Sequence, residues 1–135
     1  MKTLIQITTQ FAPQLLFLAF LIITFATSTI DKLTDWKGNI AYFNAHFSST
    51  FLQGKSSLLL GFLTFIEGLT TIVSSIGIFQ IYYSQNMEYG LWAGIIAAKT
   101  LLLMLLGQRI TKDYAGAMTI TVYFAVTLFG IVLFA

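Results

Sequence analysis

The chain has 135 residues, 57% of them hydrophobic and only 9% charged, where a soluble domain carries roughly 25% charged residues. A water-soluble globule is excluded. The net charge of +2 comes without a basic stripe or a nucleic-acid-binding pattern, so no nucleic-acid partner is expected. The chain also has no cysteine, which rules out disulfides, thiolate metal sites and thiol-based quinone chemistry.

Charges are absent from 3–30, 68–87 and 114–135, and about 20 predominantly apolar residues cross a bilayer. Four spans follow, at about 13–30, 58–79, 89–107 and 114–135. The expected fold is all-α: an integral membrane four-helix bundle, one transmembrane domain over 1–135, with the lipid bilayer as its solvent.

Span 1 opens near Pro13, which the first turn of a helix tolerates because its missing N–H has no partner there. Ala26 and Ser28 behind the apolar core also fit a leader cleavage pattern. With the segment present from Met1, it is read as a retained span. Between spans 1 and 2, Trp36, Ile40, Phe43, Phe47 and Phe51 recur at helical spacing, so an interfacial amphipathic helix is expected over about 36–53. His46, the lone histidine, reads as an interfacial polar residue, since one ring without a ligand cluster makes no metal site.

Span 2 carries small residues at alternating spacings of four and three: Ser57, Gly61, Thr64, Gly68, Thr71 and Ser75. Such a stripe lets a second helix approach closely. Beside it lies Glu67, a charge near mid-span, and such a residue is a functional-site candidate by default. Span 3 has a second small face in Gly90, Gly94 and Ala98. Lys99 points the opposite way, toward the side of Trp92 and Leu103, about 13–15 Å from either end of the span at 1.5 Å per residue. That is beyond easy snorkelling reach, so Lys99 is expected to be Glu67's partner and span 3 to need protein contacts on two sides.

The third connection, GQRITKDYAGA, places Arg109 and Asp113 four apart, where a helix would pair them. Arg109, Lys112 and Asp113, like Asp31 and Lys32 after span 1, read as corner or interface contacts. Span 4 shows one polar or small stripe of Gly116, Thr119, Tyr123, Thr127 and Gly130, with Tyr123 a further candidate at a site. Lys32, Lys37, Lys55, Arg109 and Lys112 fall on one side of the membrane against Lys2 alone on the other. The positive-inside rule therefore puts both termini outside the cytoplasm.

Asp31-Lys32, the aromatic segment after it, Glu67-Gly68 with Gly77, and the GQRITKDYAGA corner together resemble the DoxX-like family of small four-span bacterial membrane proteins. The family usually has glycine where this chain has Thr29. The resemblance implies a bacterial plasma membrane location and an accessory or structural subunit of a larger membrane complex, of redox or quinone-linked type. The residues themselves leave two roles open for Glu67 and Lys99: a buried pair fixing helix register, or a proton, cation or quinone-headgroup site. The alternative function is a small homodimeric transporter or ligand-binding protein using Glu67 as a proton or cation site. No nucleophile–base pair, metal cluster or haem ligand set is visible, so catalysis by this chain alone is not expected. No cofactor is evident, with quinone or lipid the classes left open.

Overall fold

A computed structural model describes residues 3–135. It contains six helices: α1 (Leu4–Gln10), α2 (Ala12–Thr34), α3 (Trp36–Phe47), α4 (Ser56–Ser84), α5 (Glu88–Ile110) and α6 (Tyr114–Phe134). No strand occurs among the described residues. The helices α2, α4, α5 and α6 are each long and apolar enough to span a membrane. The protein is thus a multi-pass, all-α membrane bundle. Lys2, counted in the charge balance, lies outside the described residues.

Local chemistry sets the boundaries. Thr3 and Gln6 form a reciprocal capping box at α1, and the chain kinks at Phe11 because Pro13 offers no N–H to the carbonyl four residues back. Asp35 separates α2 from α3 and caps α3 through Gly38 N–H. The interfacial helix stops at Phe47, earlier than its aromatic spacing predicts. The Ser48-Ser49-Thr50 run turns the chain there, with the Thr50 hydroxyl donating to Phe47 O, as short hydroxyl side chains do when they compete with helix. Phe51 therefore leaves the helical stripe and is exposed. At the α5–α6 corner Lys112 takes a left-handed φ of 60°, and Asp113 caps α6 by accepting from Gly116 N–H at 3.0 Å.

The spanning helices pack in the ring order α2, α4, α5, α6, with only sparse contact where α6 returns to α2. Leu18, Leu21, Phe25, Ala97 and Leu101 lie in the core, while Leu16, Ile23, Phe65, Phe129 and Val132 face outward. Apolar residues on both sides are what a bundle in lipid requires, since association there depends on close packing rather than on hydrophobicity. The tightest crossing is α4 on α5 at two glycines. A Cβ on Gly77 would stand 3.1 Å from Gly90 N, so side chains have no room there.

Two small-residue stripes sit differently from expectation. On α4 the buried face is Ser56, Thr64, Glu67, Thr70, Ser74 and Gly77, so Gly61 and Gly68 are only half-buried and Ser75 is exposed. The helix is rotated so that its one charge lies inward, and the small residues follow. A Cβ on Gly61 would be 3.9 Å from the Trp36 ring, and one on Gly68 3.8 Å from Thr29. On α6, Thr127 and Gly130 are buried but Thr119 and Tyr123 are not. Gly90, Gly94 and Ala98 are buried on α5 as expected. The buried hydroxyls of Thr64, Thr70, Ser74, Thr100 and Thr127 each donate to the carbonyl four residues earlier in their own helix, which satisfies them where water is absent.

Candidate functional site

The mid-membrane carboxylate pairs with Lys32, not with Lys99. Glu67 is fully buried on α4, and Lys32, 8% exposed, reaches it from α2. The Lys32 ammonium lies 3.1 Å from Oε1, donates to Oε2 at 3.4 Å, and donates to the Ser28 hydroxyl at 2.6 Å. Ser28 and Lys32 are four apart on one helix and therefore face the same way. The geometry leaves Oε1 without a directed hydrogen bond, so its attraction to the ammonium is chiefly Coulombic.

The sequence hides this pair because the uncharged run of span 1 ends at Ile30. In the structure α2 runs on to Thr34, which carries Lys32 one further turn alongside α4. Lys99 is exposed instead, with no ion-pair partner among the described residues. Its helix turns Gly90, Ala93, Gly94, Ala97 and Ala98 inward, since small residues admit the two neighbouring helices. The lysine is left on the opposite, outer face with Trp92, Leu103 and Leu106.

Two cavities flank the buried pair. The smaller, about 110 Å³, lies among all four spanning helices and is lined by Thr24, Ser28, Glu67, Met104 and Tyr123. Tyr123 stands at its outer edge, its ring stacked 6.1 Å from Phe20, at the side where α2 and α6 meet sparsely. The larger, about 370 Å³, sits under α3 between α4 and α5, and Lys32 and Met104 line it too. Its remaining polar lining includes Asn39, His46, Gln108, Thr111 and Asp113.

Arg109 and Asp113 do not pair. The helix ends between them, the Arg109 guanidinium lies over the Tyr114 ring at 5.0 Å, and the Asp113 carboxylate faces His46, with 3.7 Å between Oδ2 and Nε2. Asp31 and Lys112 are exposed and enter neither cavity. His46, read from sequence as a bystander, is thus brought to a site by α3 folding back over the bundle. Its only signal in the sequence is its place on the aromatic helix, one residue before the buried Phe47.

No group of acidic and histidine side chains able to hold a metal ion occurs among the described residues. Comparison with family models, curated proteins and solved structures gives no match. The geometry therefore stands alone as the guide to function.

Proposed function

We propose that this chain is a small accessory subunit of a larger membrane complex, of the redox or quinone-linked kind that its DoxX-like motifs imply. The observation that carries the reading is Lys99. It lies eleven residues from either end of α5, about 16 Å at 1.5 Å per residue, and it faces outward. A lysine at the centre of the bilayer costs about 2.5–3.5 kcal/mol on insertion scales, and a carboxylate on an adjoining helix removes that cost. A second copy of this chain has no such carboxylate to offer. Glu67 is buried and engaged by Lys32, and Asp31, Asp35, Glu88 and Asp113 all lie at helix ends. The partner is then a different protein with an acidic residue at mid-depth.

Native mass spectrometry of the protein extracted gently from its own membrane tests this. Wild type should carry a stoichiometric partner that Lys99→Leu loses; a clean monomer in both cases overturns the reading. The location assigned is the bacterial plasma membrane with both termini outside the cytoplasm. A reporter fused at Ala135 and active only in the cytoplasm overturns that orientation if it works.

A second reading rests on Glu67, which lines a cavity and has an oxygen without a hydrogen bond. In it the chain carries a proton or cation, or a small ligand, through exchange at that carboxylate. Glu67→Gln should then abolish pH-dependent uptake into liposomes, and unchanged uptake removes this option. Lys32 already neutralises the carboxylate, which is why the subunit reading is preferred.

A further inference from the structure

The larger cavity has a polar end and an apolar end. His46 on α3, Gln108 at the end of α5 and Asp113 at the start of α6 form the polar end, beside the basic corner. Deeper in, Leu59, Leu63 and Leu103 make the walls, and Phe62, Leu103 and Leu106 are lining residues that are also exposed on the outer surface of α4 and α5. The cavity therefore opens sideways, onto the outer apolar surface of α4 and α5.

The polar end specifies the chemistry of an occupant. The 3.7 Å between His46 Nε2 and Asp113 Oδ2 is too long for a hydrogen bond, yet one oxygen can sit within bonding distance of both. With the imidazole proton on Nε2, such an oxygen accepts from His46 and donates to the carboxylate. A hydroxyl does both, whereas an ionised carboxylate has no proton to donate. Asp113 spends its other oxygen on Gly116 N–H, which fixes Oδ2 toward His46. Gln108 also lines this end of the cavity, its Oε1 enclosed and accepting no hydrogen bond. The chain itself holds the two groups together, since Asp113 N–H donates to Gln108 O at 2.8 Å.

We propose that this cavity binds a neutral single-chain amphiphile with a hydroxyl-bearing head, of the monoacylglycerol class, entering from the leaflet. The head bridges His46 and Asp113 beside Gln108, and the chain lies along Leu63 and Leu103 toward the lateral opening. The site is built from this chain's own residues and its mouth lies on the Lys99 face of α5, so binding to the isolated chain tests it separately from the subunit reading.

Titration of the purified full chain in non-ionic detergent with 1-oleoylglycerol and with oleate, read by native mass spectrometry, tests it. The glycerol ester should give a saturable one-to-one adduct, with oleate weaker by about tenfold, because oleate forfeits a hydrogen bond to the Asp113 carboxylate and such a bond is worth roughly that much in affinity. Leu103→Trp, at a partly exposed position whose change fills the cavity without disturbing the core, should abolish the adduct. Asp113→Asn keeps a good helix cap and should narrow the preference over oleate. Statistical multiple adducts, equal or tighter binding of oleate, or an adduct undiminished in Leu103→Trp overturns the proposal.

Discussion

Two lysines belong to the spanning helices of this protein, one in the last turn of α2 and one halfway along α5, and the structure treats them oppositely. Lys32 is folded against Glu67 and Ser28 within the bundle, while Lys99 projects from its outer face. What separates them is the company each keeps on its own helix. Lys32 has a hydroxyl one turn away and a carboxylate across the interface, whereas Lys99 follows a run of small residues that the neighbouring helices claim. A charge in a membrane protein is therefore placed by the packing of its neighbours as much as by its own need for a partner.

The contrast breaks most visibly if one half of the buried pair is removed. Glu67→Leu strands the Lys32 ammonium, and a buried pair broken on one side loses about 3–5 kcal/mol. The folded fraction in a denaturant titration should fall accordingly. Removing both charges, as Lys32→Met with Glu67→Leu, should recover most of that loss. A double variant as unstable as the single would mean that the pair contributes more than mutual neutralisation.

Ser28→Ala probes the same pair more gently. It deletes the acceptor at 2.6 Å from the ammonium, and a hydrogen bond to a charged group is worth about 1.5–3 kcal/mol. No loss in the same titration would show that the hydroxyl is incidental. Gly77→Ala tests the glycine crossing, about three turns along α4 from Glu67. Its Cβ stands 3.1 Å from Gly90 backbone, so α4 and α5 must part slightly, at a cost of about 1 kcal/mol or more.

Lys99→Leu should have the smallest effect on the isolated bundle, within about 0.5 kcal/mol, the usual range for a surface position away from structural contacts. A large loss of stability would contradict its outward placement. The comparison predicts that the two lysines separate by assay: Lys32 governs unfolding of the chain, and Lys99 governs what co-purifies with it.

Much of the architecture was readable from the residues alone. Apolar length sufficed for the four spans, because nothing but helix satisfies the backbone in lipid within one segment. The small face of Gly90, Gly94 and Ala98 was equally plain. The pairing of Glu67 was not, since the sequence does not show that the last turn of α2, which carries Lys32, runs on alongside α4. The rotation of α4 was missed for a related reason: two small stripes lie one residue apart on that helix, and only the third dimension decides between them. His46 and Asp113 are far apart in the chain and meet because α3 folds over the corner, a long-range event with no periodic signature.

The sparse junction of α6 with α2 has a mechanical meaning. A closed circuit of helices yields first at its least cohesive joint, and here that joint borders the chamber containing the acidic side chain. Toward the end of the last helix the joint is held by Gln14 donating to Leu133 O and by the Phe17 ring against Phe134, so the loosely closed stretch is the one beside Tyr123.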